Sequence, residues 1–101
     1  MGGYRLEIRA AAMDVIHHLP PGIKRAVRAA LDSLAEDPSR GDRLHGELKG
    51  RFKFRVRRYR IIYGLDRGKR ILNVLAVGHR RSVYEEFAER EKARSASRGA
   101  G

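Results

Sequence analysis

Between residues 52 and 56 the chain reads FKFRV, and between 71 and 79 it reads ILNVLAVGH. In the first segment apolar Phe52, Phe54 and Val56 alternate with cationic Lys53 and Arg55, the period-two pattern of a strand buried on one side only. The second is so continuously apolar that both of its sides must be covered, which places it centrally in a sheet. Tyr59 to Leu65 lies between them as a further strand, entered through a turn at Arg57-Arg58 and left through Asp66-Arg67-Gly68-Lys69. Like charges beside one another on one sheet face repel. The arrangement costs stability unless solvent, salt or an anionic partner relieves it.

Upstream, Tyr4 to Arg9 alternates weakly and predicts a first strand. Ala12, Ile16 and Leu19 share a helical face within Ala10 to Leu19, and Pro20-Pro21-Gly22 ends that helix. Ile23, Val27, Ala30, Leu31 and Leu34 then form the apolar stripe of a second helix. Residues 37–42 read as a loop. Ser82 to about Arg90 predicts a short last helix, with Ser82 and Glu85 spaced as a capping box. Residues 1–90 are expected to form a single domain, and 91–101, made largely of Ala, Arg, Ser, Gly and Lys, a disordered basic tail. The element order β-α-α-β-β-β plus a short C-terminal helix predicts an α+β fold: a small antiparallel sheet with an N-terminal helical hairpin on one face. The opposite face, with its arginines, is expected to be free to line a groove.

Charge narrows the partners. The formal net charge is +11, and from Lys49 to Arg81 the only acid is Asp66, so this stretch accounts for the whole excess. Such a surface suits RNA, DNA or an acidic protein segment; a solvated basic face is the ordinary alternative. The absence of cysteine removes disulfides, thiolate metal sites and cysteine nucleophiles. No apolar run approaches the roughly 18 to 20 residues of a membrane span, and MGGYRLEIR lacks the features of a secretory signal, so a soluble, cytoplasmic protein without membrane association is expected. His17 and His18 would point about 100° apart on a helix and have no ligand triad with them, so no metal is expected. His79 adjoins Arg80 and could touch the same anion, although a structural histidine at a strand end explains it as well. The glycines form no dinucleotide or phosphate-loop pattern, and no cofactor is expected.

Metal-free RNA cleavage needs a group to take the 2′-hydroxyl proton, cations for the charge growing on the phosphoryl oxygens, and a donor for the leaving 5′-oxygen. Lys53 and Arg55 point the same way from one strand, and Arg60 lies on its neighbour. Arg80 and Arg81 follow the buried strand, and Tyr84 comes within a helical turn of them. Each has a plainer reading: Lys53 and Arg55 as phosphate-backbone contacts, Arg60 as a partner for Asp66 or a glutamate, Tyr84 as an apolar anchor for the last helix.

The series LKGRFKFRVRRYRIIYGLD followed by ILNVLAVGHRRSVY resembles the RelE/ParE superfamily of toxins from type II toxin–antitoxin modules, over roughly Tyr4 to Phe87. The resemblance implies a compact antiparallel sheet with two N-terminal helices. In the RelE branch it also implies a metal-independent endoribonuclease that cuts mRNA in the ribosomal A site and is held in check by a cognate antitoxin. On that basis Arg60 and Arg80 are expected to stabilise transition-state charge, and Lys53 to serve the phosphate or proton transfer. Tyr84 is expected at the 2′-hydroxyl or a stacked base. Lys49, Arg51, Arg55, Arg57, Arg58 and Arg81 are the expected substrate-binding cations, and whether Arg80 or Arg81 is the site arginine stays open. Arg55 stands where the family has a lysine, which argues against proton transfer there because guanidinium hardly deprotonates. The ParE branch, whose target is DNA gyrase, and a non-catalytic nucleic-acid-binding module are the alternatives.

Overall fold

The computed structural model describes the backbone of residues 3–100 and the side chains of 3–95. In chain order its elements are β1 (Arg5–Ile8), α1 (Ala10–His17), α2 (Pro21–Glu36), β2 (Asp42–Arg43), β3 (Phe52–Val56), β4 (Tyr59–Asp66), β5 (Ile71–His79) and α3 (Val83–Ala100), with short 3-10 turns at Pro38–Arg40 and Gly46–Leu48. The five strands form one sheet in the order β1-β5-β4-β3-β2. β1 runs parallel to β5, and every other pairing is antiparallel.

The alternation in FKFRV does what its period demands. Phe52, Phe54 and Val56 face the core beneath α1 and α2, together with Tyr59, Ile61, Tyr63 and Leu65 of β4. From α2 the buried residues are Val27, Ala30, Leu31 and Leu34, and from α1 Ala12 and Ile16. Pro21 occupies the first turn of α2, where its missing N–H has no bond to lose, so the same Pro-Pro pair stops one helix and starts the next. At the edge of this core the fully buried Tyr63 donates its hydroxyl to the Pro38 carbonyl at 2.7 Å. Gly41 lies so close that a β-carbon there would overlap the Tyr63 hydroxyl and come within 2.7 Å of the Lys53 carbonyl oxygen.

β5 is buried on both sides, as its composition requires. Leu72, Val74 and Val77 enter the core below α1 and α2, while Leu75 and Ala76 join Ile62, Val83 and Phe87 in a second cluster on the opposite face. Two successive residues can face the same way because the register shifts at Ile62/Tyr63: Ile62 pairs with Ala76 and Tyr63 with Val74, leaving Leu75 as the extra residue of a bulge.

That second cluster corrects the expectation of a sheet face left free. α3 lies across it, seated by Val83 and Phe87, which are 2% and 1% exposed. Burying the Phe87 ring alone contributes about 2–3 kcal/mol. α3 also continues to Ala100, well past the expected end near Arg90 and through most of the segment for which disorder was expected; residue 101 lies outside the described residues. A half-buried ion pair between Arg9, just after β1, and Glu91 at 2.8 Å ties the middle of α3 back to the start of the chain. Among the described residues no helix is long and apolar enough to cross a membrane.

Candidate active site

The β3–β4 hairpin sets the site. Its register places Arg55 directly opposite Arg60 and Lys53 opposite Ile62, and on the next strand Gly78 stands beside Arg60. Because alternate residues share a face, Lys53, Arg55, Arg60 and Gly78 all lie on the side that carries α3. Asp42 of β2 pairs with Lys53 from the other flank, so an acid borders the cationic row at the sheet edge.

Arg60 is partly engaged. Its Nη1 donates to the carbonyls of Arg57 at 3.0 Å and Tyr59 at 2.8 Å, the two ends of the tight turn. A guanidinium has five N–H groups, so Nη2 and Nε keep theirs for an anion. The side chain is thereby held on the hairpin before any ligand arrives, which lowers the entropy lost on binding.

Gly78 explains how α3 reaches this row. A β-carbon at Gly78 would lie 3.1 Å from both Cβ and Cγ2 of Val83, inside the ~3.5–4.0 Å at which carbon atoms attract. Only a bare backbone lets the first turn of α3 rest directly on the sheet. The β5–α3 connection is short, and Arg80 and Arg81 follow β5 directly within it. The Arg80 N–H is bonded to the Arg58 carbonyl at 2.7 Å, which fastens this connection to the hairpin turn. Tyr84, one residue into α3 from Val83, packs half-buried against the cluster of Ile62, Leu75 and Ala76. Its role as an apolar anchor is thus realised, and it occupies the same face as Lys53, Arg55 and Arg60.

The remaining cations divide. Arg51 belongs to the same face but sits at the far end, beside Gly64, lining a cavity of about 520 Å³ with Glu7, Arg9 and Asn73; its Nε is buried without a hydrogen-bond partner. Lys49 is exposed in the loop before β3. Arg57 and Arg58 form the hairpin tip and line a cavity on the α2 side of the sheet with Ile23, Tyr59 and His79. The structure therefore brings Lys53, Arg55, Arg60 and Tyr84 to one face, sets the exposed Arg80 and Arg81 in the connection after β5, and puts Lys49, Arg51, Arg57 and Arg58 elsewhere.

Two histidines make defined contacts. The His79 ring meets Tyr59 edge-on at 5.9 Å and its Nδ1 accepts the Arg81 N–H at 3.3 Å, while His18 Nδ1 lies 2.8 Å from the Asp14 carbonyl. Among the described residues there is no group of three or more His, Asp or Glu side chains able to hold a metal ion. Gly78, Asp42 and the Arg9–Glu91 pair were not legible as site residues: two depend on contacts between distant segments, and Gly78 offered only its place just before the basic pair.

Residues 6–84 match the family described as the ParE toxin of type II toxin–antitoxin systems. The chain is 35% identical over 83 residues to Toxin RelG of Mycobacterium tuberculosis (strain ATCC 25618 / H37Rv), covering 80% of this chain and 95% of that protein. Among solved structures, the M. tuberculosis toxin–antitoxin complex RelBE2 superposes with a TM-score of 0.73 at 34% identity, covering 79% of this chain and 94% of that one. A mutant of the E. coli toxin RelE in the free state gives 0.71 at 25% identity, covering 87% and 97%. The chain belongs to the RelE/ParE superfamily of type II toxins.

Proposed function

We propose that this toxin is a metal-independent endoribonuclease that cuts mRNA, acting on the ribosome in the cytoplasm. The observation that supports it most is the cross-strand pair Arg55–Arg60 on the face over which Tyr84 is held. Two guanidinium groups forced side by side repel, and a phosphodiester between them reverses the sign of that interaction.

In the reaction the 2′-oxygen attacks the adjacent phosphorus as its proton leaves, and the bond from phosphorus to the 5′-oxygen breaks as that oxygen gains a proton. The product is a 2′,3′-cyclic phosphate and a free 5′-hydroxyl. Arg60 and Arg80 meet the charge that grows on the non-bridging oxygens, and Arg55 holds the phosphate. Lys53 and Tyr84 are the nearby groups able to exchange a proton, with Tyr84 also offering a ring to a base. The solved complexes of RelE-type relatives with RelB proteins support a cognate antitoxin as this toxin's partner.

Mapping transcript 5′ ends after brief induction tests the proposal. Wild type should cut within translated frames, and Arg80→Ala or Tyr84→Ala should abolish cutting while the protein stays folded. Cleavage that survives both substitutions would exclude the mechanism. A second reading has support of its own, because the matching family is described by its ParE members: inhibition of DNA gyrase without nuclease activity. A supercoiling assay beside the 5′-end map separates the two.

A further inference from the structure

The proposed reaction makes no use of the cavity on the reverse side of the β3–β4 hairpin. It measures about 430 Å³ and is lined by Ile23, Arg57, Arg58, Tyr59 and His79. We propose that it is a second nucleotide subsite, holding one base and phosphate of single-stranded RNA that flanks the residue bound at Arg55 and Arg60. The inference rests on the ribonuclease reading and extends the RNA path around the hairpin tip.

The lining has the two components that single-stranded RNA requires. Tyr59 and His79 present ring surface, and Arg57 and Arg58 present exposed guanidinium groups, which bind phosphate and stack on bases. An acidic peptide would need the cations but has no use for the rings, so a nucleotide is the better fit. Because Nδ1 of His79 accepts the Arg81 N–H, the single hydrogen of the neutral ring lies on Nε2, where it can donate.

The cavity is also joined physically to the reaction face. Arg60 Nη1 grips the carbonyls of Arg57 and Tyr59, both cavity residues, and the Arg58 carbonyl accepts the Arg80 N–H. The backbone of the subsite is thus bonded to both arginines assigned to the scissile phosphate. Arg57 itself has φ of 55°, the left-handed region in which glycine or asparagine is favoured, so the tip carries a cation where the backbone alone would select glycine.

The test is equilibrium binding of RNAs blocked by a 2′-deoxy substitution at the cleavage position. One is a trinucleotide spanning only that position and the other a nonanucleotide extending to both sides. For Arg57→Gly/Arg58→Ser, whose glycine suits the turn, nonanucleotide affinity should fall about tenfold and its salt dependence should flatten by a slope of about 0.7, as expected for one lost phosphate contact on a single strand. Trinucleotide affinity should change less than twofold. Equal losses at both lengths, or none, would overturn the subsite and leave the nuclease reading standing. Wild type that binds neither RNA would overturn the subsite, while the nuclease reading is decided by the transcript 5′-end map. Loss of binding to a poly-glutamate peptide with RNA binding intact would reassign the cavity to a protein ligand and overturn the subsite.

Discussion

Arg55 and Arg60 face each other directly across the β3–β4 hairpin, on adjacent strands and on the same face. Residues so paired have β-carbons about 5 Å apart, and two cations at that range repel by of the order of 1 kcal/mol in solvent. Arg55→Thr should therefore raise stability by about 0.5–1 kcal/mol at low salt, with the gain shrinking at high salt, and should weaken RNA binding. Paired urea melts at low and high ionic strength measure the first effect. A destabilised variant would show that the two side chains are not in repulsion.

Arg60 links the hairpin turn to the proposed phosphate site. Arg60→Lys keeps the charge but cannot reproduce a fork that bonds two carbonyls and an anion together. Loss of one transition-state donor typically costs 10²–10³ in rate, so single-turnover cleavage by this variant should fall by about that factor. A drop of less than threefold would remove Arg60 from the chemistry.

Gly78→Ala places a methyl group against Val83 and must lift the first turn of α3 by a few tenths of an ångström or more. The stability cost should be about 1–3 kcal/mol, as for an overpacked core. Cleavage should suffer beyond what the folded fraction explains, because Tyr84 and Arg80 move with the helix. Activity that simply tracks the folded fraction would leave Gly78 a packing residue only.

Burial pushes the Tyr63 phenol above its ordinary value, opposed by a backbone hydrogen bond at Gly41 and reinforced by the Asp42 and Asp37 carboxylates. An unfolded tyrosine ionises near pH 10, whereas the folded one still holds its proton there. The associated stability is intact below about pH 10 and is lost as pH rises through the folded value. Tyr63→Phe should cost about 1 kcal/mol at neutral pH, through the lost bond to Pro38, yet show a shallower alkaline decline. Parallel declines in the two proteins up to pH 11 would contradict this.

Period and composition made β3, β4 and β5 readable because each strand's burial is written in its own residues: FKFRV on one side, ILNVLAVGH on both. The stripe Val27, Ala30, Leu31 and Leu34 was readable for the same reason. α3 was not, because what lengthens and seats it lies far away in sequence: Phe87 needs Ile62 and Leu75, and Glu91 needs Arg9. The two-residue β2 is too short to show a period. The basic row was visible as alternation, but alternation ends at a turn, so the side on which Arg57 and Arg58 open a cavity depends on backbone angles that residue types do not reveal.

The parallel pairing of β1 with β5 has a consequence for how the toxin comes into being. The strand at the sheet's interior is bordered by the first strand synthesised and by one of the last, so the native sheet requires a closure spanning most of the chain, a slow class of event. A newly made molecule thus passes through an interval in which Arg55 and Arg60 can already meet in a local hairpin, while β1 and the Arg9–Glu91 pair that ties down α3 are not yet in place. An inhibitor that recognises the hairpin would find its target before the poison is complete.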